Sequence, residues 1–148
     1  MPIHKRMPRR VEVRARDVMS SPPVTVGASS TLREASEKMW SEKVGSVIVV
    51  DNEGYLLGIL TERDVVFAVA KGMFEAHEKK PTVDSVMSKN VVTVNTDSSI
   101  AQVAQLMSEF NIKHIVVMSQ EGRPVGVISL RDMLDVGFGF LRILGSPD

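Results

Sequence analysis

Two stretches of the chain carry the same residue types in the same order, and those residue types can hold an anion. Residues 58–64 and 126–132 both begin with glycine, continue through apolar residues to a hydroxyl residue, Thr61 or Ser129, and end three residues later with an aspartate. A hydroxyl at this point predicts the N-cap of a helix, because its oxygen accepts a hydrogen bond from a free backbone N–H group. The start of a helix also favours anions, since its free N–H groups and its dipole are both positive there.

The charged residues of these two stretches indicate a nucleotide-like ligand. Arg63 and Arg131 fall in the first helical turn, where a positive charge opposes the helix dipole unless an anion lies beside it. Asp64 and Asp132 can accept hydrogen bonds from a pair of ribose hydroxyls, as carboxylates do in other nucleotide sites. A plain N-cap with a solvated Arg–Asp pair explains a single copy equally well. Two copies in the same context favour two related binding sites.

The composition is that of an ordinary soluble protein and excludes several kinds of chemistry. The 148 residues include no cysteine, which excludes disulfides, thiolate catalysis and cysteine-bound metals and is typical of a reducing compartment. No apolar run reaches the roughly 18 residues that a membrane span needs, and the first ten residues lack the apolar core of a secretory signal. We therefore expect a cytoplasmic protein with no membrane partner, built as one domain or as two small halves that share a core.

The formal net charge is zero, but basic residues are concentrated at the beginning of the chain. Residues 1–16 contain six lysines and arginines and a single acid, Glu12. A basic arm over residues 1–10 can contact nucleic acid or an acidic partner, and a solvated terminus accounts for the same charges. Nucleic-acid binding is therefore an alternative or additional role and not the leading prediction.

After this arm the chain repeats itself at an offset of 68 residues, without a gap. Repetition at a constant offset indicates a duplication, and the offset is longer than that of the common solenoid repeats. Two copies predict a closed pair related by a pseudo-twofold axis. The residue pairs related by the offset include Thr25 and Thr93, Met39 and Met107, Gly58 and Gly126, and Asp64 and Asp132.

Each copy has the residue pattern of a β-α-β-β-α unit, so the predicted fold class is α/β. Helical spacing of apolar residues predicts a helix over residues 31–42 and another one repeat later. Residues 46–50 and 114–118 are nearly continuous apolar runs, which predict strands buried on both faces. Further strands are predicted over 24–26, 56–60 and 124–128, and closing helices over 61–70 and 129–136. The predicted domains are a first repeat at 11–72, a linker at 73–81, a second repeat at 82–136 and a tail at 137–148.

The tail is more apolar than an exposed chain end usually is. Residues 137–144 include two phenylalanines, two leucines and an isoleucine. They can extend the last helix despite their glycines, cover a partner subunit, or dock on the core of their own chain. An exposed apolar patch usually marks an interface, so these alternatives stay open at this point.

The duplicated units resemble the CBS-domain pair, also called a Bateman module. The resemblance rests on Pro/Val-Val-Thr-Val near the start of each copy and Gly-hydrophobic-x-Thr/Ser-x-x-Asp near its end, and it covers about residues 11–136. It implies two α/β halves that pack face to face across a pseudo-twofold axis, with two clefts between them. In this family the clefts commonly bind AMP, ADP, ATP or S-adenosylmethionine. Two pairs often assemble into a flat disc, which implies a homodimer here.

The resemblance also implies roles for individual residues. The motif aspartate usually holds the ribose, which gives this role to Asp64 and Asp132. The motif hydroxyl and arginine usually approach ribose or phosphate, and residues around the first strand and at the start of the next strand line the cleft. The other implied ligand-binding residues are Pro23, Val24, Thr25, Gly45, Ser46, Val47, Thr61 and Arg63 in the first copy, and Val91, Val92, Thr93, Lys113, His114, Ile115, Ser129 and Arg131 in the second.

The two copies differ in charge at the start of the second strand. Lys113 and His114 can offer positive charge to a phosphate, whereas Gly45 and Ser46 cannot. A bound phosphate would raise the pKa of His114, because an opposite charge favours the charged form. A lysine at the edge of the core and a neutral, hydrogen-bonded histidine explain the same residues without a ligand. We hypothesise that the clefts are unequal and that Lys113 and His114 help one of them take a polyphosphate.

The leading prediction is a non-enzymatic sensor of adenosine nucleotides that requires no cofactor or metal and acts on an effector protein the sequence does not identify. An enzyme is the alternative from another class, but the chain has no Gly-x-x-x-x-Gly-Lys-Thr loop, no His-Glu-x-x-His motif and no nucleophile–base pattern. His4, His77 and His114 are too scattered to form a zinc site. A partner-binding scaffold, with S-adenosylmethionine as a possible different ligand, is the further alternative.

Overall fold

The computed structural model describes residues 12–75 and 79–145. The basic arm at 1–10, and with it the predicted contact to nucleic acid, lies outside the described residues, as do His77 and the end of the predicted tail. The described chain contains two sheets of three strands, each flanked by helices. The predicted α/β fold class is confirmed.

Both repeats follow the same order of elements. The first contains α1 (Ala15–Val18), β1 (Thr25–Gly27), α2 (Leu32–Glu42), β2 (Ser46–Val50), β3 (Leu56–Thr61) and α3 (Glu62–Ala70). The second contains a short 3-10 helix (Val83–Ser85), β4 (Thr93–Asn95), α4 (Ile100–Phe110), β5 (His114–Met118), β6 (Pro124–Ser129) and α5 (Leu130–Leu144). Thr31 and Ser99 cap α2 and α4 through their hydroxyl oxygens, which explains where these helices begin.

The strand pairing brings three chain segments together at one end of the strands in each sheet, which we call the edge of that sheet. In the first sheet β1 runs parallel to β2, and β2 runs antiparallel to β3 with Ser46 opposite Thr61. The second sheet repeats this arrangement, with His114 opposite Ser129. The starts of the first two strands and the end of the third therefore lie at the same edge, which is where each motif begins its helix.

The middle strands are buried on both faces, as the sequence predicts. Val47 and Val49 of β2 pack with α2 and α3 in one hydrophobic core. Ile48, on the opposite face of β2, packs with Ile59 and with Val116 of the other repeat. The two sheets thus pack face to face through a shared apolar layer, which joins the halves into one unit.

The segment that precedes each repeat packs on the other repeat. Ala15 of α1 is buried in the core of the second repeat, and Val83 of the 3-10 helix is buried in the core of the first. Isolated β-bridges at Ser20–Val127 and Ile59–Ser88 also join each of these segments to the other repeat. The basic residues at the start of α1 are paired: Arg14, its N-cap, contacts Glu12, and Arg16, within the helix, contacts Asp97. The predicted domain boundaries remain a prediction; each core contains a residue from the segment that precedes the other repeat.

The last helix continues beyond its predicted end at 136. α5 runs to Leu144, so the apolar tail extends the helix, as one of the alternatives allowed. Residues 137–145 are all exposed in the single chain, so the described part of the tail does not dock on its own core. No helix in the described ranges is long and apolar enough to cross a membrane.

Candidate functional site

Each motif places a hydroxyl and a carboxylate at the first turn of a helix, where they hold each other. The Thr61 side chain accepts a hydrogen bond from the Asp64 backbone N–H, and the Asp64 Oδ2 atom accepts one from the Thr61 backbone N–H at 2.8 Å. Ser129 and Asp132 form the same capping box at the start of α5, also with a 2.8 Å bond to Oδ2. The two reciprocal bonds fix the rotamer of each carboxylate.

The capping box leaves the second carboxylate oxygen available. Within the described residues, no hydrogen bond reaches the Oδ1 atom of Asp64 or of Asp132. No buried side-chain polar atom in this part of the protein lacks a partner, so these two oxygens are open to solvent. An oriented, accessible carboxylate oxygen is a ready acceptor for a ligand hydroxyl group.

The motif arginines are exposed cations at the same helix starts. Neither Arg63 nor Arg131 forms an ion pair with a residue in ranges 12–75 and 79–145. Their charge opposes the helix dipole, and neither is ion-paired with the acids of its own first turn, which are Glu62 and Asp64 in α3 and Asp132 in α5. This arrangement favours a bound anion.

The backbone gathers the other predicted ligand residues around the motifs. The Gly45 carbonyl accepts a hydrogen bond from the Glu62 N–H at 3.0 Å, and the Lys113 carbonyl accepts one from the Leu130 N–H at 2.8 Å. The Val24 carbonyl accepts a hydrogen bond from the Ile48 N–H, and the Val92 carbonyl accepts one from the Val116 N–H. These bonds hold two segments beside the middle strands: Pro23, Val24 and Thr25 in the first repeat, and Val91, Val92 and Thr93 in the second. We call these edges the first cleft and the second cleft.

Three of the predicted residues cannot offer side chains to a ligand. Val47 and Ile115 are fully buried in the two cores, and Ser46 is 6% exposed. They support the cleft through the backbone of β2 and β5. Pro23, Val24, Thr25, Gly45, Val91, Val92 and His114 are half-buried, and Thr93 and Lys113 are exposed.

His114 reaches from the second repeat to the first motif. A Cβ atom placed on Gly45 would lie 3.0 Å from the His114 Cε1 atom and 3.3 Å from the Glu62 carboxyl carbon, so both side chains occupy the space beside this glycine. Burial lowers the pKa of His114 from its ordinary value of 6.5; Glu62 and Asp132 raise it in part, and Lys113 lowers it. Without a ligand, His114 is therefore neutral at neutral pH, and the increase in its pKa expected for a bound phosphate stays a prediction.

Sequence reasoning missed Glu62 and the methionines of the exchanged segments. Glu62 is the first residue of α3 and lies beside Gly45, but a first-turn acid is common and gave no distinct signal. A Cβ atom on Gly58 would lie 2.7 Å from the Met87 Sδ atom, and one on Gly126 would lie 2.6 Å from the Met19 Sδ atom. The motif glycines are thus required by close packing. The available signal was that Met19 and Met87 recur at the same 68-residue offset as Gly58 and Gly126.

A separate depression of about 400 Å³ lies at the opposite ends of β1 and β2, lined by Thr25, Glu34, Lys38 and Asp51 among others. The Lys38 ammonium group donates a hydrogen bond to the Thr25 carbonyl there. Thr25 is the one predicted ligand residue that lines it, and none of residues 58–64 does, so the motif geometry rather than the size of this depression identifies the candidate site. Among the residues described, no three acidic or histidine side chains are grouped to hold a metal ion.

The fold and the two capped motifs define a class: a tandem α/β module with one candidate ligand cleft per repeat. The family model for the CBS domain matches residues 15–71 and 83–139. The chain therefore belongs to the CBS-domain family, and the matched spans form a CBS-domain pair.

Several curated proteins are similar to this chain over most of its length. The L-aspartate semialdehyde sulfurtransferase of Methanocaldococcus jannaschii is 30% identical over 118 residues, which are 80% of this chain and 22% of that enzyme. An uncharacterised protein of Methanopyrus kandleri is 30% identical over 84% of this chain and 60% of its own length. The chain thus spans about a fifth of the first relative and less than two thirds of the second.

Solved structures of CBS-domain proteins have the same fold. One is a CBS-domain pair in complex with 5′-methylthioadenosine and S-adenosyl-L-methionine, with a TM-score of 0.78, 28% identity, and coverage of 86% of this chain and 98% of that one. Another is a CBS-domain protein from Pyrobaculum aerophilum complexed with AMP, with a TM-score of 0.73, 25% identity, and coverage of 81% and 89%. Adenosine compounds are therefore ligands of structurally similar CBS pairs.

Proposed function

We propose that this CBS pair is a non-enzymatic regulatory module that binds adenosine nucleotides in its two clefts. The observation that carries the proposal is the pair of motif carboxylates, each fixed by a capping box with its Oδ1 atom open to solvent. Such an oxygen suits a ribose hydroxyl, and the exposed motif arginine suits a phosphate. AMP and S-adenosylmethionine in similar CBS pairs support the choice of ligand class.

Ligand binding can regulate only if it changes the balance between two arrangements of the halves. Each cleft lies at an edge where one repeat contacts the other, as the position of His114 against Gly45 and Glu62 illustrates. A ligand in this place contacts both halves and favours one relative orientation. The readout is then an effector protein, as expected from the sequence, and the module itself catalyses nothing.

We assign the polyphosphate to the second cleft. Lys113 directly precedes β5, and its carbonyl accepts a hydrogen bond from Leu130, the first residue of α5. Its side chain is exposed. Together with Arg131 it gives this cleft two cations, whereas Gly45 occupies the Lys113 position in the first cleft. The hypothesis that Lys113 and His114 act together on a phosphate stays a prediction: His114 lies beside Gly45 and Glu62 of the first motif, and it is also opposite Ser129 and interacts with Asp132 of the second.

The test is isothermal titration calorimetry with AMP, ATP and S-adenosylmethionine on the wild type and on Asp64→Asn and Asp132→Asn. An asparagine retains an oxygen for the capping bond but turns an amide NH₂ toward the ribose. Since hydrogen bonds to a charged group contribute about 1.5–3 kcal/mol, each variant should lose roughly tenfold to a hundredfold in affinity at one cleft. Lys113→Ala should weaken ATP more than AMP.

The matched control is Asp135→Asn, which removes an exposed carboxylate of α5 outside the motif. It should bind like the wild type. Urea unfolding of every variant checks that the capping box still holds the helix. Failure of all three ligands to bind the wild type would refute the proposed function, and equal loss in the control would refute the role of the motif carboxylates.

We further propose that the module is a homodimer, as the resemblance implied. Apolar side chains stand exposed on both closing helices, with Val66 at 67% on α3 and Leu134 at 64% and Phe138 at 65% on α5. Val66 and Leu134 are related by the internal repeat, so both halves contribute equivalent apolar positions to this face, and an isologous interface would use the same face on each subunit. An exposed apolar face of this kind favours a second copy as its cover. A cytoplasmic location remains a prediction from the absence of cysteine.

A further inference from the structure

The two clefts carry opposite charges at positions related by the internal repeat. Asp64 and Asp132 are equivalent, as are Arg63 and Arg131, so their charges do not distinguish the clefts. The differences are at the first helical residue, where Glu62 corresponds to Leu130, and before the middle strand, where Gly45 corresponds to Lys113. The first cleft therefore has an extra acid and the second an extra base.

The extra acid lies inside the predicted ligand-binding edge. The Glu62 carboxyl carbon is 3.3 Å from the place where a Gly45 side chain would begin, and Gly45 is one of the predicted ligand residues. Glu62 forms no ion pair within the described ranges, and the His114 ring shares the space beside Gly45 with it. A phosphate in the first cleft would meet this carboxylate at close range.

We propose that Glu62 and His114 make the first cleft select its ligand by charge, so that it takes an uncharged or cationic adenosyl compound while the second cleft takes the phosphorylated nucleotide. This inference rests on the proposed function and deepens it. At neutral pH Glu62 repels a phosphate. The repulsion energy of two like charges a few ångströms apart near a protein surface is enough to weaken binding roughly tenfold. The sulfonium of S-adenosylmethionine is attracted by the same carboxylate.

His114 determines at which pH this selection holds. The charged groups that act on it are Glu62 of α3, Asp132 of α5 and Lys113 before β5, and burial outweighs them so that the neutral ring predominates at neutral pH. When the pH falls, protonation of His114 places a cation beside Glu62 and offsets the repulsion of a phosphate. The first cleft then accepts AMP more readily.

The test uses titration calorimetry with 5′-methylthioadenosine, S-adenosylmethionine, AMP and ATP on Asp132→Asn, in which the second motif lacks its carboxylate. Because Asp132 also raises the pKa of His114, all first-cleft comparisons are made within this background. We expect the first two ligands to bind and AMP and ATP to bind at least tenfold more weakly. Adding Glu62→Gln, which removes the charge and keeps the shape, should restore AMP and ATP roughly tenfold. The reciprocal change, Leu130→Glu in Asp64→Asn, should impose the same selection on the second cleft.

The pH arm compares AMP binding to the first cleft between about pH 7.5 and about pH 5.5 with and without His114→Asn. The titration of the ligand phosphate is common to both proteins, so a steeper gain in the protein that retains His114 is the expected result. NMR titration of the His114 Cε1 proton adds a readout without ligand. Its pKa should fall in Glu62→Gln, since the carboxylate that favours the charged ring is gone.

The outcomes separate this inference from the proposed function. If none of the four ligands binds the wild type, the proposed function fails and this inference fails with it. If the ligands bind but the first cleft takes ATP as tightly as 5′-methylthioadenosine, the proposed function stands and charge selection is refuted. The same holds if Glu62→Gln changes the affinity for neither of these two ligands. An unchanged pKa of His114 in Glu62→Gln would refute the pairing of the two side chains.

Discussion

The glycine that opens each motif is required by the segment that crosses from the other half of the molecule. Gly58 faces both the Met87 side chain and the Ser88 backbone carbonyl, whose oxygen would lie 2.7 Å from a Cβ atom. That carbonyl accepts the Ile59 N–H at 3.0 Å, so it cannot move without breaking a hydrogen bond. At Gly126 the three atoms nearest to a Cβ atom all belong to the side chain of Met19, at 2.6–3.0 Å, and not to backbone.

Gly58→Ala should therefore destabilise the protein more than Gly126→Ala. Forcing an extra methyl group into a packed contact costs about 1–3 kcal/mol, and we place Gly58→Ala at the upper end because backbone must shift. Gly126→Ala should fall at the lower end and be partly rescued by Met19→Ala. The measurement is the free energy of unfolding from urea denaturation.

Gly137→Ala is the matched control for these two changes. Gly137 lies in α5 with nothing within 4 Å of a Cβ atom, so alanine there should be neutral or add up to about 1 kcal/mol through helix propensity. A loss in the control as large as in Gly58→Ala would show that the contact with the crossing segment is not the cause.

His114 should also link stability to pH. Its pKa in the folded protein is lowered by burial from 6.5, so the unfolded chain binds more protons as the pH falls below about that value. The folded state thus loses stability toward acid and recovers it fully above the unfolded pKa. The difference in urea midpoint between wild type and His114→Asn should change in this direction as the pH is lowered; a difference independent of pH would contradict it.

At the level of elements, local patterns were sufficient to predict most strands and helices. The continuous apolar runs at Ser46–Val50 and His114–Met118 became the buried middle strands, because only a strand covered on both faces tolerates such a run. The hydroxyl residues Thr61 and Ser129 became N-caps, with the capping aspartates at the predicted spacing. Where a residue or a short run determines its own local structure, the sequence predicted the strand or helix start correctly.

Contacts between elements far apart in sequence could not be predicted in the same way. Nothing local assigns Ala15 to the second core or Val83 to the first, since each is a small apolar residue that fits either half. The proximity of Glu62 to His114 depends on the packing of one sheet on the other. The extension of α5 to Leu144 outweighs two glycines that each disfavour a helix by about 1 kcal/mol. Tertiary packing determined these features.

For the whole molecule, the pseudo-twofold axis explains why duplicated halves come to differ. Tyr55 and Arg123 occupy equivalent positions and contact each other, with the guanidinium 4.6 Å from the ring centroid and donating to the Glu53 carbonyl. Two arginines or two tyrosines facing each other would lack this attraction. At the other end of the sheets His114, equivalent to Ser46, reaches the first motif. Residues near the axis are free to diverge as complementary pairs, and our proposal of unequal clefts rests on such a divergence.

The last prediction concerns the oligomeric state. Phe138 and Leu141 are exposed by 65% and 67% on one apolar face of α5, and covering such side chains is worth about 1.5–3 kcal/mol each. Phe138→Glu combined with Leu141→Glu should therefore convert the proposed homodimer into a monomer by placing charges in an apolar contact. Sedimentation equilibrium, which gives the mass in solution, should show twice the mass of one chain for the wild type.

Trp40→Glu is the control, because Trp40 is 87% exposed on α2 rather than on the closing helices. It should leave the dimer intact, which separates loss of one interface from a general effect of removing surface apolar groups. Since a folded monomer buries the same cores, urea unfolding of the double variant should remain cooperative. A wild type with the mass of a single chain would refute the homodimer, and dissociation by Trp40→Glu would move the interface away from α5.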